Sequence, residues 1–112
     1  MTVAALLAAY RSGALDPREV VGRARGRAAA EGAPAWISVV AEEDLARRLA
    51  ALPPPEAPLY GIPFAVKDNV DAAGLPTTAG CPAFAFEPPQ SAEAVARLEA
   101  AGAVVVGSVR CV

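Results

Sequence analysis

A mixed α/β fold is what this sequence predicts, and three observations predict it. Apolar runs of strand length occur at 36–40, 62–66 and 103–106. Between and before them lie segments with helical periodicity, each with its own start or stop signal. The last two runs, with the helical segment at 91–101 between them, read as one βαβ unit with a long first connection. The expected architecture is helices packed on a partial mixed or parallel sheet. With 112 residues the chain predicts a single domain, 1–112, and a modest core.

The elements follow in order. Thr2 can cap a short helix to about Tyr10, with Leu6 and Leu7 on its apolar side and Ser12-Gly13 as its stop. Asp16, Pro17 and Glu19 occupy the N-cap, first and third positions of a second helix, which runs to about Ala30 before Gly32. Val20, Val21, Ala24 and Ala28 form its inner stripe. Gly22 and Gly26 each weaken it by about 1 kcal/mol relative to Ala, and close helix packing would compensate. After Pro34, Trp36-Ile37-Ser38-Val39-Val40 reads as a strand. Glu42, Glu43 and Asp44 then open a helix that closes with Arg47 and Arg48, the charge order its dipole favours. Pro53-Pro54-Pro55 ends that helix and starts a stiff linker to Leu59.

Ile62-Pro63-Phe64-Ala65-Val66 reads as a short buried strand that delivers Lys67 at its end. Residues 71–82 read as turns and an irregular loop. Phe84 and Phe86 alternate before Pro88-Pro89. Ser91 is the expected cap of a helix to about Ala101, with Val95 and Leu98 inside and Gly102 as the stop. Ala103-Val104-Val105-Val106 is a continuous apolar strand of the buried, parallel type.

Composition excludes several functions. There is no histidine, which removes His-based catalytic dyads and His-based metal sites. Cys81 and Cys111 lie thirty residues apart without a C-x-x-C, and both are expected to be reduced and structural. Net charge is −2 with no basic cluster, so no nucleic-acid partner is expected. No secretory segment opens the chain and no apolar run is long enough to cross a bilayer, which predicts a cytoplasmic protein without a membrane role. Glycine-rich phosphate loops are missing, and no cofactor or metal is expected. Asp68 and Asp71 are the only close candidates for a glycosidase carboxylate pair, and a turn or capping role fits them better.

What stands out is Lys67, the only lysine among ten basic residues. Arginine keeps its proton, whereas lysine can lose it and act as a base. A strand end in an α/β sheet is where chemistry collects. A Lys-Asp-Asn after a strand is also an ordinary solvated turn, and the residues alone leave both readings open. Burial of the amine would favour its neutral form and Asp68 its charged form. A base of this kind is expected to face a concave surface.

Three motifs in order carry a resemblance. Gly61-Ile62-Pro63-Phe64-Ala65-Val66-Lys67-Asp68-Asn69 comes first. Gly74-Leu75-Pro76-Thr77-Thr78-Ala79-Gly80 follows. A helix then leads to Ala100-Ala101-Gly102-Ala103-Val104-Val105-Val106-Gly107. Together they resemble the amino-terminal part of the amidase signature family. Within it, Gly80-Cys81-Pro82-Ala83-Phe84-Ala85-Phe86 is most similar to the allophanate hydrolases of urea breakdown. The aminoacyl-tRNA amidotransferase A subunits share the broader pattern.

The resemblance implies a linear-amide hydrolase with a Ser–cis-Ser–Lys triad. Lys67 matches the lysine, which takes a proton through a bridging serine so that a second serine can attack. Asp68 and Asn69 match neighbours with a supporting role. The family's two serines lie downstream in a Gly/Ser-rich segment. Here Ser12, Ser38, Ser91 and Ser108 stand in no Gly-Ser-Ser context. The tail Gly107-Ser108-Val109-Arg110 departs from the family's Gly-Lys-Thr-Asn, as a shifted frame or truncated gene would produce. The chain is therefore expected to be a truncated portion that supplies the lysine, lacks both serines and is inactive alone. A small amide would be a substrate only after completion by further sequence. The alternative is a non-catalytic interaction module. In that reading Val104-Val105-Val106 forms an open sheet edge through which the chain makes a homo-oligomer or takes up a separate remainder.

Overall fold

The structure, a computed structural model, describes residues 2–32, 35–73, 75–77 and 90–109. Cys81, Cys111, Phe84, Phe86 and the motif 80–86 lie outside the described residues. Helix α1, Val3–Ser12, starts where Thr2 Oγ1 accepts from Ala5 N at 3.1 Å, and its one buried side chain is Tyr10. Helix α2, Pro17–Glu31, is capped as expected, with the Asp16 carboxylate accepting from Arg18 N at 2.9 Å. Val21 and Ala28 form its buried stripe, with Val20 and Ala24 half-buried beside them. The expected packing at Gly22 and Gly26 is corrected: a Cβ at either would meet nothing within 4 Å. Both glycines face open space, so their cost to the helix has no packing return.

Strand β1, Trp36–Val39, is followed by helix α3, Glu42–Ala50. Strand β2 is Pro63–Lys67, helix α4 is Glu93–Ala100, and strand β3 is Val104–Val109. The sheet is mixed, in the order β1-β3-β2. β2 and β3 run parallel and β1 runs antiparallel to β3, so the predicted βαβ unit of β2, α4 and β3 forms. The linker after α3 is seated on the turn between α4 and β3. Leu59 N donates to Ala101 O and Gly61 N to Gly102 O, each at 2.9 Å. That seat needs glycine at 102, where φ is 104° and a Cβ would lie 2.8 Å from Tyr60 Cα.

Two expectations about strands are corrected here. Val104-Val105-Val106 is not a sheet edge: β3 has a strand on each side and is the most buried strand of the three. Its Val-rich run can sit there because both of its faces find cover. Among the described residues the outer strands are β1 and β2. Nor is 62–66 a fully buried strand. In β2 only Val66 is buried, while Ala65 and Lys67 are exposed. The core is a cluster of Val21, Val40, Leu45, Val66, Val95, Val104, Val105 and Val106, extended by Ala72 and Leu75 from the segment after β2. Phe64 packs at its margin.

Candidate active site

Register fixes where Lys67 stands. Ala65 pairs with Gly107 and Lys67 with Val109, so these four share one face of the sheet. Val66 pairs with Ser108, and Ser38 of β1 flanks Ser108 on its other side, so these three share the opposite face. Val66 and Ser108 are buried there, at 6% and 1% exposure. On the Lys67 face Ala65 is exposed and Gly107 is buried beneath Trp36, whose ring atoms would lie 3.0 Å from a Cβ on Gly107.

Lys67 is exposed and closes β2 at its carboxyl end. Among the described residues its ammonium has no ion pair. Three cavities, of about 350, 450 and 210 Å³, lie among other described residues.

Asp68 and Asn69 form the turn that follows. Asp68 is buried, at 3% exposure, and its N–H donates to Val109 O at 3.0 Å, extending the β2–β3 pairing by one bond. Asn69 is exposed. Val70 N then donates back to Lys67 O at 2.9 Å. Asp71 takes the turn role expected for it: its carboxylate accepts from Thr77 Oγ1 at 3.0 Å and its carbonyl from Ala92 N at 2.8 Å.

The segment after the lysine is tied down by groups the sequence does not connect. Arg48 Nε donates to Asp44 at 3.1 Å, Nη1 to Glu99 Oε2 at 3.0 Å, and Nη2 to the carbonyl of Ala73. Ser91 is not the cap of α4; that place belongs to Ala92, which makes no side-chain cap bond. The Ser91 hydroxyl instead accepts from Ala73 N at 2.9 Å and donates to Glu99 Oε1 at 3.2 Å. Arg48 reads in the sequence as a helix-dipole charge, and only its four-residue spacing from Asp44 hints at more.

Ahead of β2 sits a second anchor. The Tyr10 hydroxyl donates to Gly61 O at 2.8 Å, and its ring meets Tyr60 edge-on at a centroid distance of 5.8 Å. Burial first, then the charges that Tyr60 and Asp16 can carry, push the Tyr10 phenol up to about 12.

The amidase family profile matches residues 23–110, a span that contains all three strands and the lysine. This chain belongs to the amidase family. Among curated relatives, the urea amidolyase of Saccharomyces cerevisiae is 49% identical over 77 residues, covering 65% of this chain and 4% of that protein. The A subunit of the glutamyl-tRNA(Gln) amidotransferase of Chloroflexus aurantiacus is 53% identical over 55 residues, 48% of this chain and 11% of that one. Among solved structures, the allophanate hydrolase of Kluyveromyces lactis superposes with a TM-score of 0.82 at 35% identity over 97% of this chain and 19% of that chain. This amidase chain thus spans less than a fifth of the solved relative and a small part of the curated ones. Among its described residues no helix is long and apolar enough to cross a membrane, and no three acidic, Cys or His side chains are grouped to hold a metal.

Proposed function

We propose that this chain is the amino-terminal portion of a linear-amide hydrolase of the allophanate hydrolase type, and that Lys67 is its catalytic base. The observation that carries the reading is the family match across 23–110 together with the place of Lys67, the chain's only lysine, at the carboxyl end of β2. The chemistry asked of it is general-base catalysis. A neutral lysine would take a proton from a bridging serine, which takes one from the attacking serine, and backbone amides would steady the oxyanion. Both serines and the walls that enclose the amine would come from sequence beyond these residues. A base without a nucleophile performs no acyl transfer, so the chain alone should release no ammonia from allophanate or simple amides.

A chimera tests the assignment. Residues 1–109 replace the matching stretch of the Kluyveromyces lactis allophanate hydrolase, and ammonia release is followed. Turnover is expected, and Lys67→Arg should lower it by about a thousandfold or more, because the guanidinium keeps its proton. A folded chimera whose turnover survives Lys67→Arg overturns the role given to Lys67. Turnover by the 112-residue chain itself, lost in Lys67→Ala, overturns the dependence on outside serines. An amidotransferase portion would share the lysine chemistry and differ in its substrate, so activity of the chimera on allophanate favours the first reading.

A second reading rests on one observation: among the described residues β2 pairs with a strand on one side only. An outer strand of this kind can pair with a second copy of the chain and give a homo-oligomer. Light scattering at rising concentration reads it directly, and a constant monomer mass sinks it.

A further inference from the structure

We propose that Arg48 is a positioning residue for the segment that follows Lys67, acting through a closed ring of polar contacts. The ring has four members. Arg48 donates to Glu99, Ser91 donates to Glu99, Ala73 N donates to Ser91, and Arg48 donates to Ala73 O. Both backbone groups of Ala73 are therefore held from opposite sides. A further bond from Arg48 Nε to Asp44 sets the guanidinium plane on α3, and its side chain is 16% exposed.

Each link suits the chemistry. A guanidinium can reach three acceptors at once with fixed angles, and an ammonium on a flexible stem cannot. Charge-assisted bonds in a shielded place exceed their solvent-exposed counterparts. The segment from Asp68 to Thr77 holds, among its described residues, no helix and only an isolated bridge at Thr77. Its order therefore depends on polar anchors. One is the bond from Asp68 N to Val109 O on β3, and the Asp71 bonds to Ala92 N and Thr77 Oγ1 are others. This ring adds the link at Ala73, tying it to α3 through Arg48 and to α4 through Glu99. With these in place, Ala72 and Leu75 are pressed into the core at 1% and 3% exposure. The inference deepens the amidase reading, on which it rests for the purpose of the segment. A base misplaced by about 1 Å can cost about a hundredfold in rate, so a rigid approach to Lys67 has a use that the ring supplies.

Amide hydrogen exchange on the purified chain tests it, with urea titrations run alongside. Arg48→Met should speed exchange of peptides within 68–77 by about tenfold, with 104–109 unchanged. Ser91→Ala, which opens the ring at one link, should give about a threefold gain confined to the same peptides. Arg48→Lys should resemble Arg48→Met rather than the parent. Arg97→Gln, which removes the exposed Arg97–Glu93 pair at 2.7 Å, serves as the control and should change neither region. Equal acceleration of 104–109 would show a role in global stability only and overturn the proposal, as would unchanged exchange at 68–77. Should Arg48→Met fail to fold, Ser91→Ala and Glu99→Gln decide by the same criterion. Exchange reads no turnover, so a broken ring hypothesis leaves the amidase reading standing, and an inactive chimera leaves the ring standing.

Discussion

Strands β2 and β3 lie side by side and parallel, with Phe64 opposite Val105, Ala65 opposite Gly107 and Lys67 opposite Val109. Their surroundings differ at each pair. Val105 is fully buried and Phe64 half-buried; Gly107 is buried and Ala65 exposed. β3 has a strand on each side and helices against it, while β2 has one strand neighbour among the described residues. The difference divides labour. β3 holds the fold together, and β2 uses that support to present a charged end. The role proposed for Lys67 suits the strand whose loss of burial costs the fold least.

The sharpest way to break this contrast is a matched pair of substitutions across the two strands. A Cβ on Gly107 would strike the carbonyl oxygen of Ser38 and crowd the Trp36 ring. Gly107→Val should therefore destabilise by about 3 kcal/mol or more and leave little folded chain, whereas Ala65→Val should stay within about 0.5 kcal/mol. Urea titration with far-UV circular dichroism reads both. Equal losses at the two positions would mean that β2 is as enclosed as β3. A smaller effect of the same kind is expected at Val105→Ala, about 2 kcal/mol from lost burial and the cavity it leaves.

Much of the fold is legible in the residues. Caps at Thr2 and Asp16, the stops at Gly13 and Gly102, and the βαβ order all follow from local chemistry that tertiary contacts do not override. What 62–66 and 103–106 do not reveal is which of them lies inside. Both are short apolar runs, and periodicity alone carries no information about strand order. Strand order is set by pairing β1 against β3, a contact between residues some seventy positions apart. Lys67 is visible as a singular residue and Asp71 as a turn residue. Arg48, Ser91 and Glu99 are invisible as a set, because their meeting at Ala73 depends on how α3 and α4 are placed.

Tyr10 sharpens the comparison from the other end of β2, since it holds the carbonyl of Gly61 just before the strand. Tyr10→Phe should cost about 1 kcal/mol near neutral pH, the net worth of one buried hydrogen bond. The pH response is the more specific reading. Up to the ordinary tyrosine value of 10.0 the phenol is protonated in folded and unfolded chains alike. Between there and about 12 the unfolded chain gives up its proton first, so stability falls as pH rises through this window. Wild type should therefore lose on the order of 1–2 kcal/mol more than Tyr10→Phe across it, approaching the variant's stability. Parallel pH curves for the two proteins would show that the Tyr10 hydroxyl is not enclosed.

The smallest expected effect is the one that separates the two strands most cleanly. Lys67 is exposed, and its ammonium has no ion pair among the described residues. Lys67→Ala should change the urea midpoint of this chain by no more than about 0.5 kcal/mol in stability. Its backbone pairing with Val109 belongs to the main chain and survives the substitution. On the role proposed for Lys67, the same change in the chimera should abolish turnover. A residue neutral for stability and indispensable for rate is one kept for chemistry. A loss of stability comparable to Val105→Ala would instead make Lys67 part of the packing, and the division between a supporting strand and a presenting strand would fail at the position where it matters most.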